Sequence, residues 1–236
     1  MAVASDNDVC TQIGGDILSR GGSAVDTTIS VLLCLGAVQP QSNGIGGGGF
    51  MLIHTKNENK VVNFRERAPA ASTKDMYVEK NDKAVTGPMA SGIPGSIRGH
   101  WTAHQQYGKL AWEELFKPSI KILREGIAVT AHMENALRVK KSVLINDKNL
   151  KSIFFGSDDE DNYKKAGENF TNPRLADVYE RISKEGPDAF YLGSIAENIV
   201  KVTGNDAGGL MTMEDLAGYE VSEDAPFLFR YRGNYL

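Results

Sequence analysis

Apolar positions up to residue 38 recur at helical spacing, and those between residues 50 and 66 alternate one by one. The first pattern predicts helices over 8–20 and 23–38, broken at Gly21-Gly22, where glycine suits a left-handed C-cap. Ser23-Ala24-Val25-Asp26 then reads as a capping-box start, with an acidic residue three positions after a serine. The second helix is apolar nearly all round (Val25, Ile29, Val31, Leu32, Leu33, Leu35, Val38), which marks it as buried on most faces, and Pro40 forbids its continuation. The alternating stretch predicts two strands, 50–54 and 61–66, forming a hairpin around a polar loop of four or five residues. Along the second strand Val62, Phe64 and Glu66 share one face, and Val61, Asn63 and Arg65 share the other.

Residues 74–92 are polar and rich in turn signals. Ile93-Pro94-Gly95 opens a helix that runs to about Tyr107, and Gly108 stops it. Further helices are predicted over about 112–125, 131–145, 174–185, 193–203 and 213–217, the last led by Thr212 with Asp215 three residues on. Strands are expected near 219–222 and 227–232, and Ser157 to Asp161 reads as a solvated loop. No repeat or low-complexity linker divides the chain, so residues 1–236 read as one incomplete domain. The order of elements, without regular strand–helix–strand alternation, indicates an α+β fold. The segment from Phe227 to Leu236 reads as a strand, a turn and the start of another strand, so the chain is expected to be cut short.

Composition narrows the function classes. Of 236 residues, 41% are hydrophobic and 24% charged, which excludes disordered, collagen-like and coiled-coil chains. Twenty-six basic against 30 acidic residues leave a net charge of −4, which argues against nucleic acid as a partner. The most apolar run, 24–38, carries Asp26 and Ser30 and falls short of the ~20 residues a bilayer requires, so no membrane contact is expected of this chain. The first residues lack the charged and apolar regions of a signal peptide. Glycine is in excess, 25 of 236 against a usual ~7%, and its clustering points to particular backbone sites.

Several motifs are tested and set aside. Gly44, Gly46 and Gly49 match G-x-G-x-x-G, but a helix precedes them and a strand follows, the reverse of a dinucleotide-binding turn. The run serves either as a tight structural turn or as a loop lining a pocket, where backbone approaches another group closely. His100 and His104 have the spacing of a metal pair but lack the glutamate of a zinc protease, so neither a metal nor a cofactor is expected. Cys10 and Cys34 are either two buried thiols or a disulfide between neighbouring helices. Asn169-Phe170-Thr171 is a glycosylation sequon. Arg65, out of phase with Phe64, is expected to reach a cavity between layers, where its planar fork suits an amino-acid carboxylate; the alternative is a structural ion pair with Glu66 or another acid.

Taken in order, Gly21-Gly22-Ser23-Ala24-Val25-Asp26, Gly44-Ile45-Gly46-Gly47-Gly48, Phe64-Arg65-Glu66 with Ala68-Pro69, Pro94-Gly95, Leu115 to Ile120, Gly186 to Tyr191, Gly208-Gly209-Leu210 and Asp215-Leu216 with Tyr219 resemble the large-subunit part of the γ-glutamyltranspeptidases. The likeness runs from about Cys10 to Gly233. It implies part of a four-layer αββα N-terminal-nucleophile hydrolase sandwich, incomplete in this chain. It implies cleavage of the γ-glutamyl amide of glutathione and related compounds, with transfer to water or an amino acid. The nucleophile would be the N-terminal threonine of a small subunit released by self-cleavage, a group that serves as its own base through its α-amine. That threonine would lie beyond Leu236, so this chain would carry no catalytic residue, would be inactive alone, and would have the small subunit as its partner. On the same resemblance Arg65 grips the glutamyl α-carboxylate, with Glu66 in support. Cys10 and Cys34 match a pair that animal members bridge, which implies the outer face of the cell membrane or secretion and lends weight to the Asn169 sequon. Two other readings remain: a related acylase acting on other amides, and a truncated product that binds a partner without catalysis.

Overall fold

A computed structural model describes residues 1–232 and 234–235. In chain order the elements are α1 (Asp8–Ser19), α2 (Ala24–Val38), β1 (Phe50–His54), β2 (Asn59–Asn63), α3 (Ser96–Tyr107), α4 (Trp112–Glu125), β3 (Ile127–Ala128), α5 (Ala131–Leu144), α6 (Lys148–Phe154), β4 (Asn169–Phe170), α7 (Pro173–Glu185), α8 (Asp188–Tyr191), α9 (Ser194–Thr203), α10 (Met213–Ala217), β5 (Ser222–Asp224), β6 (Arg230–Tyr231) and β7 (Asn234–Tyr235). The fold is α+β. It divides into two compact units, one of residues 1–44 and 108–185, the other of residues 45–107 and 186–236.

The first unit is helical, with β3 and β4 as a small antiparallel pair. Its centre is α2, whose start is fixed by a capping box between Ser23 and Asp26. The buried Asp26 carboxylate also accepts backbone N–H groups of Lys109 and Leu110, at 2.9 and 3.2 Å, which ties the turn before α4 to the first turn of α2. Tyr179 of α7 is fully buried and donates to the Leu33 carbonyl at 3.2 Å, while its ring meets Phe116 edge-on. These bonds give the Asp26 carboxylate and the Tyr179 hydroxyl partners inside the core. A disulfide joins Cys10 of α1 to Cys34 of α2, so the two free thiols are ruled out. Closing a loop across 24 positions contributes about 3 kcal/mol, chiefly by restricting the unfolded chain.

The second unit is built on an antiparallel sheet of order β1–β2–β5. Met51, Ile53 and Val62 face inward and are buried; Phe50 and Leu52 stand on the opposite face, exposed. Beside them Val61 and residues 224–227 complete a groove of about 760 Å³.

Three strand expectations need correction. β2 begins at Asn59, because Thr55 N–H bonds to Glu58 carbonyl and closes the hairpin early. It ends at Asn63 rather than Glu66, because Arg65 N–H turns back onto its neighbour's side chain, Asn63 Oδ1, at 3.1 Å. The strand expected at 219–222 lies at Ser222–Asp224, where it registers against Val61 to Asn63. The strand expected at 227–232 shrinks to Arg230–Tyr231, and the start of a further strand expected before Leu236 is β7; Gly233 and Leu236 lie outside the described residues. Pattern reading also missed α6, α8, β3 and β4, which are too short to show a period.

Candidate functional site

The backbone from Phe64 to Arg67 is held from several sides. Phe64 and Gly49 exchange N–H···O bonds of 2.9 and 3.2 Å, which carries the hairpin pairing one step past the strands. The Arg65 carbonyl accepts the Tyr219 hydroxyl at 2.8 Å. Arg67 and Ile93 exchange a further pair of bonds, and the N–H groups of Gly95 and Ser96, at the start of α3, both donate to the Gly47 carbonyl. Close approach demands glycine here. A Cβ on Gly48 would lie 2.3 Å from the Phe64 carbonyl oxygen, and one on Gly99 would lie 2.2 Å from the Phe64 ring. At Gly48 the glycine run therefore lets the backbone approach this segment closely.

The Arg65 side chain projects outward, 60% exposed, and Nη1 pairs with Glu66 Oε2. The expected cavity between layers is not where the guanidinium lies among the described residues. Phe64 takes the inward direction and leaves Arg65 the other face of the chain. The ion pair with Glu66 is present, as the structural alternative held. An exposed pair of this kind contributes little to stability, about 0–1 kcal/mol. Nη2 and Nε are the remaining donors of a fork able to take a carboxylate.

A column of side chains stands behind the segment. The Arg67 guanidinium lies 5.6 Å from the centroid of Tyr219, Tyr219 stacks on Tyr191 at 6.0 Å with an 11° tilt, and the Arg98 guanidinium lies 4.6 Å from the Tyr191 ring. Arg98 also pairs with Asp188 at 3.1 Å. Tyr191 donates to the Pro94 carbonyl at 2.9 Å, next to the start of α3. Burial raises the pKa of both phenols, so each remains a hydrogen-bond donor at neutral pH.

His100 is buried on α3, 5.6 Å from the Phe64 ring and edge-on to it, with Nδ1 lacking a hydrogen-bond partner among the described residues. Burial holds its pKa down at about 4, so the imidazole is neutral in the fold. Its partner in the rejected metal pair, His104, lies against Trp101. Because unfolding restores an ordinary value near 6.5, the unfolded chain binds the extra proton first as pH falls. Stability is therefore full above pH 6.5 and declines by about 3 kcal/mol as pH drops to about 4. Thermal unfolding across that window should show this slope in the parent and lose it in His100→Leu; an equal slope in both would refute it.

Of the other sequence-predicted residues, Cys10, Cys34 and Asn169 belong to the helical unit. Asn169 is exposed at the edge of β4. Sequence reasoning quoted Tyr191 and Tyr219 for the resemblance without giving either a role, and it did not single out Arg98. Their stacking joins residues far apart in the chain.

A family model described as gamma-glutamyltranspeptidase matches residues 10–236. The chain belongs to the γ-glutamyltranspeptidase family. A glutathione hydrolase proenzyme of Escherichia coli K12 is 40% identical over 238 residues, covering 98% of this chain and 40% of that protein. Glutathione hydrolase 3 of Arabidopsis thaliana is 40% identical over 223 residues, covering 93% of this chain and 34% of its own length. The chain thus spans between a third and two fifths of these γ-glutamyltranspeptidase relatives. Among solved structures, a γ-glutamyltranspeptidase from Pseudomonas nitroreducens complexed with L-DON superposes with a TM-score of 0.91 at 33% identity, covering all of this chain and 70% of the other. A cephalosporin acylase from Bacillus halodurans superposes with a TM-score of 0.84 at 27% identity, covering 96% of this chain and 43% of the other.

Proposed function

We propose that these residues are the large-subunit portion of an enzyme that cleaves the γ-glutamyl amide of glutathione and related compounds. The observation that carries this reading is the family match over nearly the whole chain, combined with coverage of only 40% of the E. coli proenzyme. The chemistry is acyl transfer: a threonine in the remaining sequence, freed by self-cleavage, takes the glutamyl group from the amide, and water or an amino acid then accepts it. The small subunit so released is the partner of this chain. Arg65 clasps the glutamyl α-carboxylate through its fork, and Glu66 holds the guanidinium in orientation through their ion pair. The anchored backbone and outward side chain of Arg65 suit a ligand that approaches from the exposed side.

The apolar face made by exposed Phe50 and Leu52 with half-buried Val61 suits coverage by a second sheet, as a four-layer sandwich requires. The Cys10–Cys34 disulfide suits an oxidising compartment, outside the cell or at its outer face, where Asn169 would be open to glycosylation. No helix among the described residues is long and apolar enough to cross a membrane. The likeness to cephalosporin acylase supports a second reading, an acylase of other amides. An arginine offered to the substrate favours a carboxylate-bearing acyl group over it.

The test is glutamate release from glutathione by the 236-residue chain and by the full-length protein, side by side. The full-length protein should release it and the isolated chain should not. Release by the isolated chain would sink the fragment reading, and silence of the full-length protein would sink the substrate.

A further inference from the structure

We propose that Tyr219 is a positioning residue for Arg65: its hydroxyl pins the Arg65 main chain, so that the guanidinium meets the substrate carboxylate from a fixed origin. This inference rests on the reading that Arg65 binds that carboxylate.

The geometry is specific. Tyr219 Oη donates to the Arg65 carbonyl at 2.8 Å, across a sequence separation of 154. The residue is 3% exposed, and its ring is fixed between Tyr191 and the Arg67 guanidinium, so the hydroxyl has little freedom to swing away. Tyr191 is anchored in turn by Pro94 and by Arg98. The packing around the hydroxyl is tight: a Cβ on Gly95 would sit 2.2 Å from it. Arg65 itself is the least constrained member of the group. Its N–H donates to Asn63 Oδ1, two residues back, and its side chain has four rotatable bonds and faces solvent. β2 has already ended at Asn63, and among the described residues no ladder bond holds the Arg65 carbonyl. The phenol replaces that missing restraint at the one residue whose side chain must be aimed. Productive geometry tolerates little drift, because sub-ångström misplacement of a binding group already lowers rate.

The experiment uses the full-length enzyme with two chromogenic amides, the γ-glutamyl 4-nitroanilide and the 4-aminobutanoyl 4-nitroanilide, which differ only by the α-carboxylate. Tyr219→Phe keeps the ring stack and removes the hydroxyl. The ratio of kcat/KM for the two amides should fall about tenfold, carried by a rise in KM for the γ-glutamyl compound, as loss of one hydrogen bond predicts. Arg65→Ala, run in parallel, should lower the same ratio further. Equal losses on both amides in Tyr219→Phe, or no change in the ratio while Arg65→Ala lowers it, would overturn the positioning role and leave the Arg65 reading intact. An unchanged ratio in Arg65→Ala would overturn both.

Discussion

Replacing Arg65 by alanine in the full-length protein should lower kcat/KM for γ-glutamyl amides by about a thousandfold and leave the melting temperature near that of the parent. The two effects separate because the side chain is 60% exposed and makes one surface ion pair, so its removal opens no cavity and strands no buried charge. Function depends on it differently. A guanidinium that takes a carboxylate bidentately makes two charge-assisted hydrogen bonds, each stronger than a neutral one, and their joint loss amounts to about 4 kcal/mol. Arg65→Lys keeps the charge but not the fork and should recover only part of the loss. Steady-state kinetics with a γ-glutamyl amide decide the matter: rates within twofold of the parent in Arg65→Ala would remove Arg65 from the binding site. Glu66→Gln should have a smaller effect, since it alters the orientation of the guanidinium and not its charge.

A second change should be severe for the fold. A Cβ at Gly95 would lie 2.0 Å from the Phe64 carbonyl oxygen and 2.2 Å from Tyr219 Oη. Neither can retreat cheaply. Phe64 is paired with Gly49 through both its N–H and its carbonyl, and the Tyr219 hydroxyl is engaged with Arg65. Gly95 cannot swing away either, because its N–H is bonded to Gly47 at 2.9 Å. Gly95→Ala should therefore destabilise the protein by about 3 kcal/mol or more, the range of overpacked or strained sites. Gly15→Ala is the matched control: it lies within α1 with no atom within 4 Å of a built Cβ, and a helical alanine there should stabilise by about 0.5–1 kcal/mol. Chemical denaturation of the two variants gives the comparison. A Gly95→Ala protein as stable as the parent would mean that the α3 start and the Phe64 segment are not packed as described.

The amino-acid sequence by itself determined the long helices and one strand, because each carries many residues on one period and a local stop signal. Asp26 capping Ser23 and Asp215 capping Thr212 are three-residue events, readable without knowing what surrounds them. It also determined the inward alternation of Val62 and Phe64, and, through the resemblance, the family and the candidate arginine. It could not determine where β2 ends, since that depends on whether Arg65 N–H meets a neighbouring strand or its own Asn63. Nor could it determine the direction of the Arg65 side chain, which follows from Phe64 taking the buried side against α3. The disulfide is intermediate: the residues alone left Cys10 and Cys34 open to two states, the resemblance pointed to a bridge, and the packing of α1 on α2 brought them within bonding reach. The aromatic column of Tyr191 and Tyr219 belongs wholly to tertiary structure. Stacking and the phenol–carbonyl bond join positions as far as 154 residues apart, and no local pattern encodes such a meeting.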